Sequence, residues 1–161
     1  MPIKFKIYLT DDSKSKIKNL VRVPENLRRD FRQAGYLIGK ELTAWLKKDM
    51  KNPKSGKIYK SYFGVSGKLK KPKLARASSS NETPAIRTGA FRKSINFIAG
   101  NNRVEFGSGD GSAEKYAKIL ELGSKKMSAR KPLQKTSEAN EGKIREISSN
   151  VLKKLNDFYN K

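Results

Sequence analysis

The sequence predicts an α+β fold: a small antiparallel sheet packed against two long helices, with long basic loops. Three observations carry this. Ile3-Lys4-Phe5-Lys6-Ile7-Tyr8-Leu9 puts Ile3, Phe5, Ile7 and Leu9 on one side of an extended chain and lysines on most of the other, the period of a half-buried strand. Leu27, Phe31, Ala34, Ile38, Leu42, Trp45 and Leu46 recur at three- and four-residue steps, the stripe of an amphipathic helix. Ser94 to Ile98 and Arg103 to Phe106 alternate in part around Gly100-Asn101-Asn102, residues that accept the left-handed conformations of a tight hairpin.

Taken in order, the first strand gives way to a polar turn from Thr10 to Ser15. Pro24 is suited to the first position of the long helix, with Glu25 and Asp30 near the positive end of its dipole. That helix should run to about Lys51 and stop before Pro53, because a residue preceding proline avoids the helical region. Trp45 lies on the apolar stripe and is read as core. Lys47 to Arg76 is rich in Lys, Gly and Pro, and Lys68-Leu69-Lys70-Lys71-Pro72-Lys73 is its densest run. Residues 52–82 are expected to be an extended basic loop or a hairpin arm, with a strand near 58–63 joining the main sheet. Like residues 107–113, they carry so little apolar surface that they are expected to order on partners.

Further on, Thr88 is placed to cap a short helix in which Phe91 and Ile95, four apart, share a face while Arg92 and Lys93 point to water. Beyond the hairpin, Gly107-Ser108-Gly109-Asp110-Gly111-Ser112 has no apolar anchor and no regular structure is expected. A helix from Ala113 to Leu122 should close at Gly123 in a left-handed cap. Pro132 opens the last helix, whose stripe of Ile144, Ile147, Val151, Leu155 and Phe158 extends it to about 158. Gly142 costs about 1 kcal/mol relative to Ala inside a helix, so a bend or a late start is expected there.

Composition narrows the function. At 161 residues the chain suits one domain, residues 1–161, and its hydrophobic fraction of 35% leaves room for polar loops. No run of about 18 apolar residues exists, so no membrane partner is expected. Met1-Pro2-Ile3-Lys4 lacks an apolar leader core, and export by that route is not expected. Histidine and cysteine are both absent, which removes thiolate metal sites and Ser-His-Asp or Cys-His catalysis. Glu41, Asp49, Glu105, Asp110, Glu114 and Glu121 form no recognisable acid–base or metal constellation. Neither an enzyme nor a cofactor is expected. The net charge of +22 draws in polyanions, whether nucleic acid or acidic protein.

Four short patterns occur in a fixed order. Pro53, Ser55, Gly56 and Tyr59 spell Pro-x-Ser-Gly-x-x-Tyr. Ala77-Ser78-Ser79-Ser80-Asn81-Glu82-Thr83-Pro84-Ala85 follows, then Thr88-Gly89-Ala90-Phe91-Arg92-Lys93-Ser94-Ile95. Tyr116-Ala117, Glu121, Gly123 and Ser124 give Tyr-Ala-x-x-x-Glu-x-Gly-Ser, with Arg130-Lys131-Pro132-Leu133 behind them. This series resembles the head–tail joining, or tail-completion, proteins in the necks of tailed bacteriophages. That family carries Ala-Ser-Ala-Pro-Gly-Glu-x-Pro-Ala, Thr-Gly-x-Leu-Arg-x-Ser-Ile, Tyr-Ala-x-x-x-Glu-x-Gly-Thr and Arg-Pro-Phe-Leu-x-Pro-Ala. Here Phe91 replaces Leu, Ser80 and Asn81 replace the Pro-Gly turn, and no second proline follows Leu133.

The resemblance covers roughly half the chain and implies a structural virion protein that joins the DNA-filled capsid to the tail. It implies a homo-oligomeric ring lying close to DNA and docked on a connector, stopper or tail terminator. Such a protein sits in the virion neck or tail and in the host cytoplasm during assembly. The residues it singles out for the motifs and interfaces are Thr88, Gly89, Phe91, Arg92, Ser94, Tyr116, Glu121, Gly123 and Pro132. The alternative from charge is a basic nucleic-acid-binding protein, with Lys68, Lys70, Lys71, Lys73 and Arg76 on the polyanion; Tyr59, Tyr62 and Phe63 interleave with the basic residues as in nucleic-acid grooves.

Overall fold

The computed structural model describes residues 4–8, 25–64, 67–80, 82–86, 89–100, 103–109, 112–125 and 127–159. The fold is α+β. Strand β1 (Lys4–Tyr8) pairs antiparallel with β5 (Arg103–Ser108), which pairs antiparallel with β4 (Ile95–Ala99), giving a three-stranded sheet in the order β1-β5-β4. The expected N-terminal strand and hairpin thus form one sheet, with Phe106 opposite both Phe5 and Phe97. Ile3, Leu9, residues 10–24 and the hairpin residues Asn101 and Asn102 lie outside the described residues, as does Pro24 at the helix start.

Helix α1 (Glu25–Asp49) lies across β4 and β5. Its stripe is buried as the spacing requires: Leu27, Ala34, Ile38, Leu42 and Leu46 are inside, and Trp45 packs half-buried against the core. Phe91, Ile95, Val104, Phe106, Leu120 and Leu133 complete that core. Gly35 and Gly39 set how closely α1 approaches the sheet. A Cβ on Gly35 would stand 3.1 Å from Val104 Cγ2, and one on Gly39 only 2.2 Å from the Phe97 ring. Two glycines four apart therefore make a groove on the helix that takes the sheet's side chains.

Four expectations are corrected. First, the strand near 58–63 does not join the main sheet. Strand β2 (Ile58–Gly64) pairs with β3 (Gly67–Arg76) as a separate two-stranded ribbon with a bulge between Ser61 and Phe63. Residues 52–82 are thus a hairpin arm in the single chain, because backbone pairing supplies order that side-chain burial does not. Second, the glycine-rich stretch after the hairpin is not all irregular. Gly107 and Ser108 continue β5, held by pairing to Asn96 and Ile95, and helix α3 (Ser112–Leu122) begins at Ser112; Asp110 and Gly111 lie outside the described residues.

Third, the C-terminal helix is two helices, α4 (Pro132–Ala139) and α5 (Glu141–Tyr159). The break falls at Asn140, not Gly142. Asn140 Nδ2 donates to Thr136 O at 2.8 Å, and Thr136 Oγ1 donates to Pro132 O at 2.7 Å, so buried polar side chains end α4. Fourth, α5 packs on α1, not on the sheet. Ile147 and Val151 face the cleft against Ala34 and Leu37, and ion pairs Lys143–Glu41 (2.6 Å) and Lys154–Asp30 (2.8 Å) cross it. The side chain of Phe158 lies outside the described set. Helix α2 (Ala90–Ser94) is the short turn between the arm and β4.

Candidate functional site

The residues of the four sequence patterns meet in space as pairs. Pro53-Lys54-Ser55-Gly56 meets the stretch from Ala77 to Thr83 at the base of the arm. The Ser55 N–H donates to Glu82 Oε1 at 3.0 Å, the Ser79 N–H donates to Glu82 Oε2 at 2.9 Å, and the Gly56 N–H donates to Ala77 O at 2.9 Å. A Cβ on Gly56 would sit 2.4 Å from Ala77 O, so the two strands approach only with glycine there. Lys54 Nζ donates to Thr83 Oγ1 at 2.8 Å and reaches Asp49 O at the end of α1. The amides of Ser79 and Ser55, with the Ser55 side chain and Lys54, lower the Glu82 carboxyl from 4.5 to about 2.

The second pairing joins the short helix α2 to α3. The Phe91 ring is buried and meets Tyr116 edge to face, centroids 5.8 Å apart. Ser94 Oγ donates to Phe91 O at 2.8 Å and lies 2.6 Å from Ser108 Oγ, which ties the end of α2 to β5. Arg92 is half-buried rather than turned to water, and its Nε donates to Lys47 O at the end of α1, at 3.3 Å. The cap position of α2 belongs to Gly89, whose φ of 80° favours glycine; Thr88, expected as the cap, lies outside the described residues.

The third pairing is the joint between α3 and α4. Gly123 closes α3 with φ at 80° and donates its N–H to Ile119 O at 2.8 Å, as expected for a left-handed cap. The chain then returns so that the Arg130 and Lys131 N–H groups both donate to Leu120 O, at 2.7 and 3.1 Å. Pro132 takes the first helical position of α4, where its missing donor costs nothing. Glu121, buried on α3, accepts the Leu133 N–H and so caps α4 from another helix. Burial pushes its carboxyl up, opposed by the Leu133 and Gln134 amides and by Lys131 and Lys135. Arg130 Nη1 donates to the Ser78 hydroxyl, linking this joint to the base of the arm.

Of the residues expected at interfaces, Gly89, Phe91, Glu121 and Pro132 are therefore interior joints, and among the described ones Tyr116 alone is exposed. Large exposed apolar residues, of which the sequence patterns singled out only Tyr116, fall on three parts of the fold. Ile58, Tyr62 and Leu74 stand on the arm, Tyr36, Leu37 and Ile98 on α1 and β4, and Tyr116, Ile119 and Leu122 on α3. Leu74 and Leu122 are the most open, at 76% and 68%. The expected polyanion residues Lys68, Lys71, Lys73 and Arg76 are all exposed on β3, while Lys70 lies on the same strand with its side chain outside the described set.

The acidic residues do not gather. Glu41 pairs with Lys143, Asp49 Oδ1 accepts from Asn52, and Glu121 is a helix cap, and among the described residues no three of His, Cys, Asp and Glu are placed to hold a metal ion. Among the described residues no helix is long and apolar enough to cross a membrane. Comparison of the chain with family models, with curated proteins and with solved structures finds no match.

Proposed function

We propose that the chain is a structural protein of a tailed-phage virion, a neck component that helps join the DNA-filled capsid to the tail. The observation that carries this reading is the pairing of the patterns. Ser55 and Gly56 bind Ala77 and Glu82, Phe91 packs on Tyr116, and Glu121 caps the helix opened by Pro132. Patterns that co-occur in order and then meet in pairs are the joints of one fold, which supports reading them together as the series that resembles the neck family. The large apolar side chains left exposed on the arm, on α1 and β4 and on α3 support an assembly role, because a protein interface would cover them. In a homo-oligomeric ring docked to a connector, stopper or tail terminator, these groups would be covered.

The role proposed is non-enzymatic and requires no cofactor. Its test is genetic and visual. A phage lacking the gene should accumulate filled heads and finished tails that fail to join, while its DNA replication proceeds normally. Electron micrographs of the lysate report both. Normally joined particles from that phage would reject the neck reading.

A further inference from the structure

Strand β4 is an edge of the main sheet. The Gly109 N–H donates to Ser94 O and the Gly100 N–H to Arg103 O, both at 2.8 Å, which fixes the phase of the β4–β5 ladder. Asn96 and Ile98 therefore turn their backbone groups to β5. Phe97 and Ala99 turn theirs outward, where among the described residues they meet no partner. Open edges are ordinarily blunted by charge, proline or a bulge, because they invite another strand. β4 has none of these. Ile95-Asn96-Phe97-Ile98-Ala99 is uncharged in a chain that is 32% charged, and its register against β5 is unbroken. The opposite edge, β1, carries Lys4 and Lys6.

α1 runs alongside this edge, antiparallel to β4: Gly35 lies against Ala99, Gly39 against Phe97, and Lys47 O accepts from Arg92 just before the strand begins. Ile38 and Leu42 turn inward to the core with Phe106, and Ala34 and Leu37 turn to α5. The remaining flank carries Arg29, Arg32, Tyr36, Lys40 and Lys47 at three-, four- and seven-residue steps, so it overhangs the open side of β4. Tyr36, 53% exposed, meets the Phe97 ring there at 5.4 Å. On the other face of the sheet Ile98 stands 57% exposed.

We propose that the outer edge of β4 accepts a β-strand from another protein, one that alternates acidic and apolar residues. Main-chain bonds to Phe97 and Ala99 supply the pairing, and the two faces of the added strand supply the selection. Its side chains turned toward α1 meet Tyr36 and the cations; those turned away meet Ile98. Among the described residues Arg29, Lys40 and Lys47 make no ion pair, whereas Arg32 is held by Glu25 at 2.7 Å. Glu105, on the neighbouring strand, is buried and paired with Arg103 at 3.6 Å, so it does not neutralise the flank. A second copy paired edge to edge would set this flank against its own like charges, which selects against the copy and for carboxylates. The inference stands on the sheet edge alone and does not depend on the neck reading, which phage genetics tests separately.

The experiment titrates the isotope-labelled full chain with the peptide acetyl-Val-Glu-Val-Glu-Val-Glu-Val-amide and follows backbone amide exchange by NMR. The Phe97 and Ala99 amides should exchange freely at first and slow about 10-fold at saturation, while those of Asn96 and Ile98, already bonded to β5, should change little. In the added strand the glutamates share the face of Phe97, so their nitrogens point at β4. N-methylating the glutamates should abolish binding, and N-methylating the valines should not. Equal binding by the glutamate-methylated peptide, which keeps every charge, would mean a diffuse field and overturn the proposal.

Replacing R29Q and K40Q together should weaken the peptide roughly 2- to 30-fold, and the equally exposed pair K118Q and K153Q should not; equal weakening by both pairs would again overturn it. Ala99→Pro removes an outward donor without touching the ladder to β5 and should weaken the peptide about 10-fold. Circular dichroism monitors folding of that variant, and the methylated peptides, which use the native chain, decide the question if it unfolds. Protection of Phe97 and Ala99 that appears without peptide and rises with protein concentration would give the edge to a second copy and overturn the acidic partner.

Discussion

Gly39→Ala tests the closest approach in the fold. A Cβ on Gly39 would lie 2.2 Å from Phe97 Cδ2, 2.4 Å from Cγ and 2.9 Å from Cβ. Contact with the stem of the ring, and not just its far edge, means that rotating the ring does not relieve the clash fully. Tyr36 also stands against the ring, edge to face at 5.4 Å, so the ring has little room. Overpacking of this kind costs about 1–3 kcal/mol. Replacing a mid-helix glycine by alanine returns about 0.8–1 kcal/mol. The net expectation is a loss of about 1 kcal/mol, or roughly 2–4 °C in Tm for a chain of this size.

Gly142→Ala is the internal reference. It lies in α5 with nothing within 4 Å of the added methyl, so the same substitution should stabilise by about 0.8–1 kcal/mol. Urea unfolding followed by the fluorescence of Trp45, which packs half-buried against the core, reads both variants. Adding Phe97→Ala to Gly39→Ala should remove the clash, giving a double-mutant coupling of the opposite sign. Equal stabilisation by the two glycine replacements would refute the groove on α1 and the packing of the helix against β4.

Leu42→Ala and Phe91→Ala should each cost about 2–5 kcal/mol in the same assay, since Leu42 is 0% exposed and Phe91 is buried. Glu82 ionises more readily folded than unfolded, so its stabilisation is complete above about 4.5 and is lost as pH falls toward about 2. Urea midpoints measured from pH 5 to pH 2 should fall less steeply in Glu82→Gln than in the native chain. Glu121 has the opposite sign: its carboxyl is raised, so the fold gains stability as pH falls through that raised value toward 4.5. Glu121→Gln keeps an oxygen for the Leu133 N–H and should be at least as stable at pH 7, whereas Glu121→Ala strips the cap and should cost about 1–2 kcal/mol.

What was legible in the sequence was whatever one element expresses alone. α1 and β4 carry their periods because each buries one face, and Gly123 announces a helix end by its own backbone requirement. The arm was harder. Lysines, tyrosines and aliphatic residues occupy both of its sides, so no apolar alternation marks it, and its order comes from strand pairing across 58–76. The role of Gly35 and Gly39 exists only where β4 and β5 lie against them, so no local pattern marks it. The break at Asn140 was missed because a side chain bonded to Thr136 O, and not a glycine, makes it.

The patterns were legible as an ordered series, but their work is long-range. Ser55 finds Glu82 and Glu121 finds Leu133 only after the chain has folded. That geometry separates two kinds of residue which the resemblance had joined. Phe91, Glu121 and Pro132 are interior, so substitutions there should change stability, and any effect on assembly should follow from unfolding. Ile58, Leu74, Ile119 and Leu122 are specified by no pattern and face solvent, so substitutions there should leave the melting curve within about 0.5 kcal/mol. If the chain joins other subunits, these are the positions at which a folded variant fails to assemble. A functional screen confined to Phe91, Glu121 and Pro132 would report on folding alone.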